Sequence, residues 1–450
     1  MALALVLVLL VVGSILFHFL SPWWFTPIAS NWGAIDDTIA ITFWITGFVF
    51  AAVNLFMAYC VVRYRFRKGR LAHYEPENKK LEWWLIGLTT IGIVAMLAPG
   101  LFVWANFVKP PKDALVFEVV GQQWRWSYRF PGKDGVLGTV DTRHISSTNP
   151  LGINPDDPTG QDDIVIDNPV LHLPLGKPVK ALLRSKDVLH DFDVPQFRVK
   201  MDMVPGQITS FWLTPTRSGA FEVLCQELCG VAHFAMRGLV VVEPEKAFQS
   251  WLDSQQTFVQ SQQKLPGDIA AGQAAYAVCS ACHGADAQGN AALHAPKLTG
   301  QSAIYLQRQL HNFKTEMRGT HALDVFGQQM APMAATLADD NTIGNVVAYI
   351  ASLPDKPVVA TLAGDIDHGK NLYTTCGVCH GGNGQGNPSQ GAPRLSGMSD
   401  WYMATQLNNF KDGIRGTHPA DSYGSQMRFM AAMLNSQQAI DDVLAYVNTL

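Results

Sequence analysis

Three uncharged stretches near the start of the chain constrain its fold more than any other feature. They are Ala2–Leu20, Thr38–Val62 and Trp83–Val108, of 19, 25 and 26 residues. Each is long enough to cross the hydrocarbon core of a bilayer as a helix. Between the second and third lies a basic segment carrying Arg63, Arg65, Arg67, Lys68, Arg70, Lys79 and Lys80. Such clusters stay on the cytoplasmic side, so everything after Val108 is expected on the outer face. The first stretch is read as a retained helix rather than a cleaved leader. Met1-Ala2-Leu3 supplies no basic residue, and Pro27-Ile28-Ala29-Ser30 is a poor cleavage site.

The bulk numbers agree with a chain that is partly in lipid. Charged residues make up only 16%, and the 48% apolar content is concentrated in residues 1–110. A formal net charge of −4 gives no basic surface and no case for a nucleic-acid partner. The length allows about three domains. Six of the seven cysteines fall in three pairs, Cys225/Cys229, Cys279/Cys282 and Cys376/Cys379. A histidine closely follows each pair, which favours cofactor ligands over disulfides. Cys60, in an apolar run, reads as packing.

After Pro110-Pro111 the periodicity changes. Ala114–Val120, Val179–Leu183, Ile208–Leu213, Phe221–Leu224 and Gly238–Val242 are short, β-rich runs bounded by turns, which predicts a small all-β sandwich or barrel over 111–250. Ile145–Asn168 is polar and reads as a long surface loop. Within Cys225–Met236 stand two cysteines, His233 and Met236. Thiolate, imidazole and thioether together suit copper. In a cupredoxin-like fold an earlier histidine completes such a site, and His190 is the natural choice over His144 and His172. One thiolate with a methionine would make a mononuclear site. Two thiolates can bridge two copper ions, with Met236 and the Glu227 carbonyl as remaining ligands. A disulfide would leave His233 and Met236 unexplained, and zinc does not ordinarily use methionine.

Residues 251–264 are rich in Gln and Ser and are read as a linker. Beyond them the chain repeats itself without a gap at an offset of 97. Cys279-Ser-Ala-Cys282-His283 returns as Cys376-Gly-Val-Cys379-His380, Gly272 as Gly369, and Arg318-Gly-Thr-His321 as Arg415-Gly-Thr-His418. Two all-α domains, 265–356 and 357–450, are expected. Cys-x-x-Cys-His is the attachment signature of c-type haem, the thiols bonding to the porphyrin and the histidine lying under the iron. Met330 and Met427 recur in register, as do Met333 and Met430 three residues later, and either pair could supply the distal ligands. His321 and His418 read as loop-capping residues.

Residues 30–245 resemble subunit II of haem–copper cytochrome c oxidases. The resemblance rests on the copper loop, on Val188-Leu-His-Asp-Phe192, on Gly121-Gln-Gln-Trp-Arg-Trp-Ser-Tyr128 and on Lys200-Met-Asp-Met-Val-Pro-Gly206. Residues 265–450 resemble tandem dihaem cytochromes c of bacteria, in which the earlier methionine ligates iron. The first resemblance implies a binuclear CuA centre held by His190, Cys225, Glu227, Cys229, His233 and Met236. It implies Trp124 as the residue through which electrons reach copper. The Glu227 side chain would reach a magnesium ion shared with subunit I. Glu82 would stand at the mouth of a proton channel into subunit I, and Asp202 would line the same polar interface. Spacing alone would make Glu82 a solvated carboxylate suited to a helix N-terminus.

The resemblance further implies a multi-pass subunit of the bacterial inner membrane with its cofactor domains on the periplasmic side. Its partners would be subunit I, with haem a and the haem a3–CuB centre, subunit III, membrane lipid, and a donor that is a cytochrome c or a bc-type or alternative complex. Electrons would pass through the two c haems to CuA and on to haem a, for reduction of O2 to water with proton pumping. Two rivals remain at this point: the CuA subunit of a nitric or nitrous oxide reductase, and a membrane-anchored electron carrier with no catalytic partner. The intact copper ligands exclude a quinol oxidase subunit.

Overall fold

The computed structural model of the chain describes residues 1–21, 26–71, 76–146, 148–262 and 267–450. Lys264 of the expected linker and Leu265 of the first repeat lie outside the described residues.

Helices α1 (Ala2–Leu20), α2 (Gly33–Arg63) and α3 (Lys79–Phe107) carry the three apolar stretches, and all are long and apolar enough to span a membrane. Large apolar side chains such as Phe48 and Trp84 face outward, which suits hydrocarbon but not water. α2 and α3 begin earlier than the uncharged runs. Asp36, Asp37, Lys79, Lys80 and Glu82 continue the helices past the lipid boundary, so loss of charge marks the bilayer edge and not the helix end. The Asn78 side chain caps α3 by accepting from the Leu81 N–H at 3.1 Å.

The outer β domain runs β1 (Leu115–Gln122), β2 (Arg125–Phe130), β3 (Ile164–Ile166), β4 (Val170–Pro174), β5 (Val179–Ser185), β6 (His190–Val194), β7 (Val199–Met203), β8 (Thr209–Leu213), β9 (Gly219–Leu224) and β10 (Arg237–Glu243). Two five-stranded sheets, ordered β3-β2-β1-β5-β8 and β4-β10-β9-β6-β7, face each other as a cupredoxin-like sandwich. β5 alternates buried and half-buried residues as a strand with one face on a core should. β2 is buried on both faces. Trp126, Tyr128 and Phe130 point into the sandwich core.

The second face of β2 is covered by the segment expected to be a surface loop. Within Ile145–Asn168, Asn149, Leu151, Ile153 and Asp163 are buried and Ile164–Ile166 forms β3. Beneath it, buried Arg129 pairs with Glu118 (2.9 Å) and Asp163 (2.8 Å), and Arg184 reaches Glu118 at 3.0 Å. The polar composition concealed this covering because the covered face is itself charged and is satisfied by ion pairs.

Residues 251–262 are not a free linker. α4 (Glu245–Asp253) and α5 (Phe258–Gln262) pack on the sandwich. Trp251 stacks on His172 with ring centroids 4.3 Å apart. The Phe258 N–H donates to the Asp163 carbonyl at 2.6 Å, and its ring is buried with Val120, Leu151 and Ile153. Two large apolar side chains in a polar run suffice to dock it. On the membrane side, Arg198 pairs with Asp36 (2.6 Å), Trp32 Nε1 donates to the Trp212 carbonyl (2.8 Å), and Trp212 Nε1 donates to the Asn106 carbonyl (3.0 Å). These contacts hold the sandwich on the ends of α2 and α3.

The first repeat contains α6 (Ile269–Tyr276), α7 (Ser280–His283), α8 (Ala303–Lys314), α9 (Val325–Ala335) and α10 (Asp340–Ser352). The second contains α11 (Ile366–His380), α12 (Asp400–Lys411), α13 (Ser422–Ala431) and α14 (Gln437–Val447). In each, the first helix crosses the last at a glycine: a Cβ on Gly272 would lie 2.6 Å from the Asn345 carbonyl carbon, and one on Gly369 2.6 Å from that of Asp442. Reciprocal contacts join the repeats. Arg318 donates to Gln309 (2.7 Å) and Gln406 (2.9 Å), while Arg415 donates to Gln406 (2.7 Å) and Gln309 (2.7 Å). Asp355, between the repeats, pairs with Lys297 (2.6 Å) and Arg394 (2.9 Å).

Candidate metal and haem sites

β6 begins at His190, and the loop Cys225–Met236 joins β9 to β10. This arrangement brings six donors together. Cys225 Sγ lies 3.8 Å from Cys229 Sγ, 3.9 Å from His190 Nδ1 and 3.3 Å from the Glu227 carbonyl oxygen. Cys229 Sγ lies 3.5 Å from His233 Nδ1 and 3.8 Å from Met236 Sδ. A sulfur–sulfur distance of 3.8 Å means two free thiols and no disulfide. The contact with Cys229 holds the Cys225 thiol well below its ordinary pKa against the effect of burial, and the same contact pushes Cys229 up. The donor set of thiolates, imidazoles, thioether and carbonyl fits copper, while the thioether speaks against zinc.

The surroundings orient the ligands. His190 is fully buried, and its Nε2 is 2.8 Å from Asp187 Oδ1, which leaves Nδ1 to face the sulfurs. The other oxygen of Asp187 accepts from the Gln123 N–H at 2.7 Å. Gln123 Nε2 and Trp124 Nε1 both donate to the Cys229 carbonyl, at 2.7 and 3.2 Å. Gly230 permits this approach: a Cβ there would meet Gln123 Nε2 at 2.8 Å. The sequence reading missed Asp187 and Gln123, although both sit beside chosen residues. It also missed Asp191, which is buried beside Asp202 and is pushed up to about 8, chiefly by burial. The charge alternation Asp191, Asp193, Lys200, Asp202 was the available signal.

A continuous cavity of about 500 Å3 is lined by both repeats and reaches Trp124 and, in the copper loop, Ala232 and Ala235. Cys279, Cys282, His283, Met330 and Met333 line it in the first repeat, and Cys376, Cys379, His380, Met427 and Met430 in the second. His283 Nδ1 lies 2.8 Å from the Pro296 carbonyl, and His380 Nδ1 2.8 Å from that of Pro393. A ring that donates through Nδ1 in this way leaves Nε2 free to hold a metal. Burial holds both imidazoles below their ordinary pKa, in the neutral form a metal needs. A large apolar cavity with this donor set in each repeat fits c-type haem.

The remaining candidates are placed as follows. Met430 packs against the core of the copper domain and Met333 is exposed. His321 and His418 are exposed, and their Nδ1 atoms accept the N–H of Leu323 and Ala420, both at 3.2 Å, as loop caps. His172 is paired with Glu243 at 2.8 Å, away from the sulfurs. Glu227 is half-buried, Asp202 is exposed, and Glu82 is exposed in the first turn of α3.

The family profile described as cytochrome c oxidase subunit II, periplasmic domain, matches residues 115–244, and that of cytochrome c matches 269–354 and 366–450. The alternative cytochrome c oxidase subunit 2 of Bradyrhizobium diazoefficiens is 65% identical over 258 residues, covering 57% of this chain and 93% of that protein. Cytochrome c oxidase subunit 2 of Cereibacter sphaeroides is 29% identical over 231 residues, covering 47% and 74%. For the tail, cytochrome c4 of Azotobacter vinelandii is 35% identical over 196 residues, covering 41% and 90%. With its apolar anchor helices and periplasmic-type copper domain, the chain belongs to the cytochrome c oxidase subunit II family, as an inner-membrane electron-transfer component extended by two c-type cytochrome domains.

Proposed function

We propose that this subunit accepts electrons from an external cytochrome c or bc-type complex and delivers them, by way of its two cytochrome domains and a binuclear CuA centre, to haem a in subunit I for proton-coupled reduction of O2. The convergence of Cys225, Cys229, His190, His233, Met236 and the Glu227 carbonyl carries the reading. Bound copper and haem would supply the one-electron redox chemistry. The protein's own part is positioning. Asp187 fixes the His190 ring, while Gln123 and Trp124 pin the Cys229 carbonyl. A ligand set held this rigidly would keep geometric change small when a bound binuclear centre changed its redox state. His283 with Met330, and His380 with Met427, are the axial pairs this reading assigns, on the resemblance to tandem dihaem cytochromes c, since Met333 and Met430 line the same cavity. His/Met ligation gives the raised potential that a donor to an oxidase needs.

Trp124 is assigned as the bridge by which electrons reach copper, Glu227 as a ligand of a magnesium ion shared with subunit I, and Glu82 as the proton-channel mouth. Subunits I and III complete the assembly. Covalent tethering keeps the cytochrome domains at high effective concentration near copper. Co-purification from native membranes, with a reduced-minus-oxidised spectrum, tests the proposal. Haem a together with haem c, and oxygen uptake, is the expected result. Absence of haem a, with turnover of nitric or nitrous oxide, would refute it.

A further inference from the structure

The two cytochrome domains are copies, yet among the described residues the aromatic and side-chain hydrogen-bond contacts around the copper loop come from the second. Phe429 of α13 meets Phe234 of the loop edge-on, with centroids 5.6 Å apart. Gln426 Nε2 donates to the Trp124 carbonyl at 2.6 Å. Cys379, Phe429 and Met430 pack against the core of the copper domain. At the centre stands Tyr423, whose hydroxyl donates to Asp167 at 2.7 Å and accepts from Arg125. Arg125 is in turn paired with Asp167 at 2.7 Å. The Tyr423 ring meets two guanidinium groups, Arg125 of the copper domain at 5.1 Å and Arg308 of the first repeat at 4.0 Å. One side chain thus joins all three outer domains.

The same positions in the first repeat lack this chemistry. At the offset of 97, Tyr423 corresponds to Phe326, which has no hydroxyl, and Phe429 to Pro332. Gly391, where any Cβ would collide with the Tyr423 ring, corresponds to His294, which stacks on Phe326 at 4.0 Å. Exposure follows the same division. Val325, Phe326, Gln328 and Gln329 of α9 are exposed, while Ser422, Tyr423, Ser425 and Gln426 of α13 are all half-buried. Duplicated domains that share a scaffold but differ at these residues have been given different neighbours.

We propose that Tyr423 locks the second cytochrome domain onto the copper loop over Trp124, leaving the first domain as the copy that meets an outside electron donor. An electron then travels from donor to first domain, second domain and copper loop. Each transfer oxidises one site by one electron and reduces the next by one, and no bond or proton moves. The electron order rests on the haem and copper reading above; the dock does not, because it is a contact between side chains of this chain.

Hydroxyl-radical footprinting of the full-length haem-loaded chain in detergent tests the dock without any partner subunit. In the wild type, Phe326 and Met333 should be oxidised several-fold faster than Tyr423, Met430 and Phe429, with Trp124 protected. Tyr423→Ala should raise labelling of Trp124, Phe234 and Phe429 several-fold while the covalent haem content stays at two per chain. Phe326→Ala, at the equivalent position of the first repeat, should leave Trp124 protected. Equal labelling of the two copies in the wild type would overturn the dock, whatever the variants do. Unchanged protection of Trp124 in a folded Tyr423→Ala chain would overturn the role given to Tyr423. If the dock holds but no haem a co-purifies, the oxidase reading alone has failed.

Discussion

Replacing Gly369 by alanine is expected to loosen the second cytochrome domain severely. At this glycine α11 crosses α14, and α11 ends in Cys376, Cys379 and His380. An added Cβ would lie 2.6 Å from the Asp442 carbonyl carbon, 3.1 Å from Tyr446 Cβ, and closer still to the Asp442 oxygen. Ordinary contacts begin near 3.4 Å. The obstacle is backbone, which cannot swing aside as a side-chain tip can, so one helix must shift. That shift would disturb the Tyr373–Tyr446 contact, now at 5.4 Å between ring centroids. Overpacking of this kind costs about 1–3 kcal/mol, and the backbone obstacle places it at the upper end. For a domain of this size, 1 kcal/mol moves the melting midpoint by roughly 4–8 °C, so a fall of ~12–24 °C is expected. Gly344, in the interior of α10, is the control, because nothing lies within 4 Å of a Cβ there. Gly344→Ala should stabilise by about 0.5–1 kcal/mol through helix propensity alone. Thermal melts of the full-length haem-loaded chain followed at the Soret band, with covalent haem stoichiometry, measure both. An unchanged midpoint in Gly369→Ala, or a lowered one in Gly344→Ala, would refute the crossing argument.

Other perturbations have equally definite outcomes. Asp187→Ala leaves the His190 Nε2–H and the Gln123 N–H without their acceptor, so copper affinity should fall roughly 10–100-fold, read by chelator competition on the near-infrared copper band. Arg129→Leu strands Asp163 and half of the Glu118 network in the interior and should cost about 3–5 kcal/mol in denaturant titration. Burial lowers the Lys186 pKa to about 8, below its unfolded value of 10.5. Below about pH 8 the folded chain therefore bears the cost of a buried ammonium, and stability should rise as pH climbs from there toward 10.5. Lys186→Met should flatten that rise, and an unchanged pH profile would show the lysine to be solvated. His233→Ala should abolish the near-infrared band while leaving both c haems reducible.

Much of the molecule was legible because its signals are local. A membrane helix is announced by an unbroken apolar run, a haem site by five adjacent residues, and a duplication by identity at a constant offset. The copper loop holds five of its six donors within twelve residues. Only His190 comes from elsewhere in the chain, and its strand-edge context marked it. The errors arose where a few side chains outweigh the composition around them. Leu151, Ile153 and Phe258 anchor segments that read as loop and linker, and the buried face they cover is charged. No periodicity reports a polar face neutralised by ion pairs from distant residues.

By itself the sequence determined the anchor, the outward side, the sandwich and the two haem-type repeats, since all of these follow from short-range pattern and ligand chemistry. It could not decide which repeat lies beside copper, because Tyr423, Arg125, Asp167 and Arg308 are far apart in the chain and none belongs to a motif. Their meeting is a product of tertiary packing. Tertiary structure also decided that Asp187 sets the His190 ring. Those choices depend on direction in space, which a linear order of residues does not carry.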